Sequence, residues 1–97
     1  MQLLFKLILS ITMLIAVANA QTIKVGTNAT YPPFEFVNEQ NQITGFDMDL
    51  MAEIAKKVGF KIEIVNISFD SLIPALKAGK IDIIAAAMSA TPERIKA

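Results

Sequence analysis

Three short apolar runs rich in β-branched residues, separated by two stretches with helical spacing, restrict this chain more than any other feature. Thr22 to Thr27 carries Ile23 and Val25 and ends at Gly26 and Thr27; Lys61 to Ile67 carries Ile62, Ile64 and Ile67; Ile81 to Ala87 is a buried-strand pattern that thins into alanines. Between the first two lies Phe46 to Val58, where Phe46, Leu50, Ile54 and Val58 recur every fourth residue. Met51 and Ala55 widen that apolar face and Gly59 ends it, so the spacing predicts a helix with this stripe turned to the core. Ser71 to Ala78 is expected as a second, short helix, with Asp70 as its cap and Gly79 as its stop. Strand, helix, strand, helix, strand implies an α/β fold, a parallel sheet joined by right-handed crossovers. Asn28 to Pro33 is expected to be loop, because its two prolines forbid regular pairing. Phe34 to Val37 reads as a short strand, Asn38 to Asn41 as a polar turn, and Gln42 to Thr44 as a hairpin partner.

Ligands of open α/β sheets bind outside the carboxyl ends of the strands. Here those ends carry Asn28 and Tyr31 after the first strand, Ser68 and Phe69 after the second, and Met88 and Ser89 after the third. Beyond Ser89, Thr91-Pro92-Glu93 has the form of an N-cap, a proline at the first helical position and a first-turn acid, with Arg94 next to it. Free N–H groups beside a guanidinium suit a carboxylate or phosphate. On these residues alone, a capped surface helix with a solvated arginine fits as well. Convergence of an amide, two aromatics, a hydroxyl and a cation on one edge is what favours a ligand site.

Nine basic and nine acidic residues balance in the 97-residue chain, and Lys6 is the single charge among the first twenty, which leaves the remainder close to neutral. No polyanion-binding surface is indicated, so nucleic acid is not an expected partner. With neither cysteine nor histidine, no zinc or iron–sulfur site, cofactor or histidine-based catalysis is expected. Asp47 and Asp49 lie two apart and would not share a helix face; Asp47 is expected to favour the helix dipole instead. Glu35 and Asp82 read as strand-edge or turn acids without an evident partner. Residues 1–20 have the form of a cleaved secretory signal peptide: Lys6, an apolar core from Leu7 to Val17, and the small-x-small site Ala18-Asn19-Ala20. The mature chain from Gln21 is then expected in the periplasm. Glu93 to Ala97 starts a helix without a C-cap, as in a chain continuing beyond Ala97.

The run Gly45-Phe46-Asp47-Met48-Asp49-Leu50-Met51-Ala52-Glu53-Ile54-Ala55 closely resembles the extracellular solute-binding proteins, family 3 type, that serve polar amino acid ABC transporters. Gly26 to Phe34, Phe69 to Leu76 and Gly79 to Asp82 carry the same resemblance in the same order, over Ile23 to Ala97. It implies a periplasmic-binding-protein-like two-lobed α/β clamp, of which residues 21–97 would be part of the first lobe. It also implies a non-enzymatic function: binding one free amino acid and delivering it to an inner-membrane ABC permease, with a monomer as the working unit. By position, Arg94 would pair with the ligand α-carboxylate, Ser89 would add a hydroxyl, the Ala87 carbonyl would accept from the α-ammonium, and Tyr31 and Phe69 would sandwich the side chain. Asn28 departs from the aspartate usual in members that bind cationic side chains, and Ala86 replaces a hydroxyl residue. Both changes point to an uncharged or less basic ligand and away from lysine or arginine. Half a clamp would bind weakly on its own. A dehydratase-like enzyme or a sensor domain on the same scaffold is the competing reading.

Overall fold

The computed structural model describes residues 21–97; the signal peptide expected at residues 1–20 lies outside them. Strand β1 (Thr22–Thr27) is the central strand of a parallel sheet, with β5 (Lys61–Asn66) on one side and β6 (Ile83–Ile84) on the other. β1 and β5 pair along their whole length, Thr22 opposite Lys61 through Thr27 opposite Asn66. β6 is shorter than the run Ile81 to Ala87 suggested, although Asp82 N–H to Lys24 O and Ala85 N–H to Gly26 O carry its pairing one residue further each way. Asp82 also has a partner, since its carboxylate accepts from Lys24 N–H at 2.9 Å.

The segment between β1 and the first helix is more regular than expected. β2 (Thr30–Tyr31), β3 (Glu35–Val37) and β4 (Ile43–Thr44) form a small antiparallel sheet in that order. The prolines do not prevent it, because Pro32 and Pro33 occupy the turn and Tyr31 pairs with Glu35 across it. Helix α1 (Phe46–Val58) has the bounds its spacing predicts, and Gly59 ends it in the left-handed conformation with its N–H on Ala55 O.

The face α1 buries is only the edge of the expected one, the side of Met51 and Ala55 and not the stripe from Phe46 to Val58. Met48, Met51 and Ala55 are buried, whereas Phe46 is 61% and Val58 71% exposed, with Leu50 and Ile54 exposed between them. At about 100° per residue the two sets lie on different sides of the helix. The sheet takes the side carrying Ala55, where a small residue allows close approach.

Phe69–Ser71 forms a 3-10 turn that runs into α2 (Leu72–Lys77), so Asp70 sits within the turn and is not a cap. The Ser68 and Ser71 hydroxyls bond to each other at 2.6 Å instead. α2 supplies the core: fully buried Leu72 with Ala75, Ile81 and Ala86, flanked by Val65, Ile67, Ile84 and Met88. Gly26 leaves room beneath it, since a Cβ there would force the ends of the Ile81 and Leu72 side chains to shift. The last helix, α3 (Pro92–Lys96), starts as predicted, Thr91 Oγ1 accepting from Arg94 N–H at 3.2 Å.

The order β5-β1-β6 places a reversal of connection at β1: the chain leaves to one neighbour through α1 and returns past β1 to the other through α2. Such switch points open a crevice at the carboxyl ends of the strands.

Candidate functional site

A cavity of about 280 Å³ occupies that crevice, lined by Asn28, Thr30, Tyr31, Glu35, Phe69, Ala86 and Ala87. Four of the six expected site residues, Asn28, Tyr31, Phe69 and Ala87, therefore line one hollow. Ser89 and Arg94 do not line it; they bond to each other, Arg94 Nη1 donating to Ser89 O at 2.9 Å. Arg94 is tied to the cavity wall through Phe69, its guanidinium carbon lying 5.3 Å from the ring centroid. Tyr31 is backed by Phe34, the two rings stacked 5.3 Å apart. Both aromatic walls are thus held by neighbours, which lowers the rotamer freedom a ligand would have to remove.

Asn28 has another occupation. Its Nδ2 donates to Ile67 O at 3.0 Å and its Oδ1 accepts from Thr30 Oγ1 at 2.7 Å. Asn66 reciprocates, Oδ1 accepting from Ala29 N–H at 2.9 Å. The amide therefore clasps the ends of β1 and β5, an arrangement a carboxylate could not make, having no donor for Ile67 O.

Two acids escaped the sequence reading. Glu35, expected at a strand edge, is 1% exposed, and its Oε2 meets no hydrogen-bond donor among the described residues. Burial, then a hydrogen bond with and repulsion from Asp47, push its carboxyl up from 4.5 to about 7. Two carboxylates side by side have no donor between them; a proton on Glu35 supplies one. The available signal was alternation: Phe34 and Phe36 flank Glu35, so it faces the opposite side of β3. Asp47, expected to favour the helix dipole, also accepts from Ala87 N–H through Oδ2 at 2.8 Å. Ala87 has φ 49°, a left-handed conformation costly to alanine by about 1 kcal/mol or more. No local sequence pattern announces that contact, because it joins residues forty apart.

The arrangement is a hollow with two aromatic walls, a buried acid able to give up or take a proton near neutrality, a backbone corner at Ala87, and an arginine at its rim. Nothing in it resembles a nucleophile with its base.

The family model for bacterial extracellular solute-binding proteins, family 3, matches residues 23–97. The "Probable histidine-binding protein" of Campylobacter jejuni is 60% identical over 73 residues, 75% of this chain and 28% of that protein. The "Histidine-binding periplasmic protein" of Escherichia coli K12 is 40% identical over 97 aligned positions, 92% of this chain and 37% of that protein. Among solved structures, an arginine-bound form of domain 1 of TmArgBP, from T. maritima, superposes with a TM-score of 0.75 at 49% identity, covering 77% of this chain and 60% of that one. The chain spans about a third of the length of the curated relatives it matches.

Proposed function

Because this chain belongs to the bacterial extracellular solute-binding proteins of family 3, we propose that it binds a free amino acid in the periplasm and hands it to an ABC permease as a monomer. Residues 21–97 then form part of the first lobe of a two-lobed clamp. The exposed stripe Phe46, Leu50, Ile54 and Val58 is the kind of apolar face that further elements of a longer protein cover.

The observation that carries the reading is the hollow at the switch point, where Tyr31, Phe69, Glu35 and Ala87 converge. In it Tyr31 and Phe69 take the ligand side chain, the Ala87 carbonyl accepts from the α-ammonium, and Arg94 with the Ser89 hydroxyl takes the α-carboxylate. Arg94 would exchange its bond to Ser89 O for a bidentate pair, which is stronger because both partners are charged. Asn28 acts by clasping β1 to β5 rather than as a counter-charge.

Asn28 and Ala86 point to an uncharged or less basic ligand and away from lysine or arginine. Glu35 alters that expectation, since it places a carboxyl on the same hollow. We therefore assign a planar side chain able to carry positive charge, imidazole or guanidinium, stacked between the rings with Glu35 as its acid. Relatives described as histidine-binding and an arginine-bound neighbour support this class. That neighbour is a single domain, so the expectation that one lobe alone binds weakly does not extend to loss of binding.

A thermal-shift screen of the twenty amino acids tests the reading, because a ligand of the native state raises the melting temperature by mass action. Histidine or arginine should give the largest rise. A response confined to acidic or aliphatic amino acids, or no response, contradicts it.

A further inference from the structure

The reading of the hollow as an amino-acid site leaves Asp47 unassigned, and the geometry gives it a part in that same site. Ala87 is a non-glycine residue at φ 49° on the cavity wall. Alanine stays in that region only where surrounding structure holds it. The hold is the 2.8 Å bond from Ala87 N–H to Asp47 Oδ2. Asp47 is itself anchored: its N–H donates to Phe34 O and Phe46 N–H donates to Pro33 O, both at 2.9 Å. Gly45 makes that anchorage possible. It has φ 127°, and a Cβ there would overlap the carbonyl of Phe34. Glu35, on the strand that starts at this anchor, packs its carboxyl against the same Asp47 side chain.

The start of α1 is thus fixed to the small sheet, and one carboxylate reaches from it across to the loop after β6. We propose that Asp47 is the positioning residue of the ligand site: without touching the ligand, it holds Ala87 left-handed so that the Ala87 carbonyl faces the hollow. A first-turn acid serving only the helix dipole would have no such effect on a loop forty residues away.

Asp47→Ala and Asp47→Asn, each alone and combined with Ala87→Gly, test this in the whole protein. Two readouts are used: amide hydrogen exchange at Ala87, which needs no ligand, and calorimetric affinity with histidine and arginine as probes. In Asp47→Ala, Ala87 exchange should accelerate on the order of tenfold while β1 amides keep their rates, as expected of a local opening. Affinity should fall on the order of tenfold, and Asp47→Asn, which keeps an acceptor oxygen, should recover most of it. Glycine takes the left-handed region freely. In the Ala87→Gly background Asp47→Ala should therefore cost at least about threefold less affinity, a dependence between sites that a double-mutant cycle isolates. Unchanged Ala87 exchange, an affinity within about twofold of the native protein, or equal losses in both backgrounds overturns the proposal. If the native protein binds neither probe, the amino-acid reading and this proposal fall together. If it binds and Asp47→Ala leaves affinity intact, only the proposal falls.

Discussion

Replacing Glu35 with glutamine should make the protein more stable at alkaline pH and flatten its pH dependence. Glu35 is buried beside Asp47, and its carboxyl is raised from 4.5 to about 7. Between those values the native state holds a proton that the unfolded chain releases. Its contribution to stability is therefore complete below about pH 4.5 and is lost as pH rises through about 7. A displacement of that size corresponds to at most about 3 kcal/mol, at 1.36 kcal/mol per pH unit. Against the roughly 5–10 kcal/mol that hold a domain of this size together, the loss is substantial. Glutamine keeps the shape, presents an N–H to Asp47 as the protonated acid does, and carries no charge at any pH. Urea unfolding at pH 5 and pH 8 reads the effect as a change in midpoint at constant slope. The native midpoint should fall between the two pH values by more than that of Glu35→Gln, and the variant should be the more stable protein at pH 8. Identical pH dependence in the two proteins, or a variant less stable at pH 8, would refute the assignment of a buried, proton-holding carboxyl.

With arginine, whose guanidinium stays charged at every pH used, the same carboxyl should make binding release a proton, because a cation against Glu35 draws its pKa downward. Calorimetry near pH 7 in buffers of different ionisation enthalpy should give different apparent heats for the native protein and equal heats for Glu35→Gln. Gly45→Ala should cost about 3 kcal/mol or more in chemical denaturation, combining a left-handed φ with overlap on Phe34 O. Leu72→Ala, at a fully buried position under the core cluster, should cost about 3 kcal/mol by the same assay.

The bounds of β1 and α1 were legible because local rules decide them: β-branched alternation in one, and Gly59 closing the other in the left-handed conformation. The cap at Thr91 was legible for the same reason. The buried face of α1 was not, because apolar residues cover more than one side of that helix and the sheet chooses among them. Periodicity put Met51 and Ala55 at the edge of the stripe Phe46, Leu50, Ile54 and Val58 but could not say that this edge, with Met48, would be covered while the stripe itself stayed exposed. In the site, the topology rule brought Asn28, Tyr31 and Phe69 to one edge together with Ser89 and Arg94, and the family resemblance added Ala87; of these, Asn28, Tyr31, Phe69 and Ala87 line one hollow. The engagement of Asn28 by Ile67 and Thr30, the burial of Glu35 and the reach of Asp47 to Ala87 depend on contacts between distant segments. Of the three, only Glu35 leaves a trace in the sequence, its alternation with Phe34 and Phe36. Asp47 shows the difficulty most plainly: a first-turn acid has an adequate local explanation, which conceals its distant one.

In the proposed site the hollow and the rim arginine together hold a free amino acid, Arg94 taking its α-carboxylate. Calorimetry of the native protein and Arg94→Ala with the amino acid selected by thermal shift measures it most directly. Removing a bidentate charged pair should lower affinity by at least about tenfold, equivalent to 1.4 kcal/mol. Arg94→Lys should restore only part of it, because an ammonium cannot make the two parallel bonds. An affinity for Arg94→Ala within tenfold of the native value would contradict the claim, and would return Arg94 to the capped helix and the Phe69 ring on which it rests.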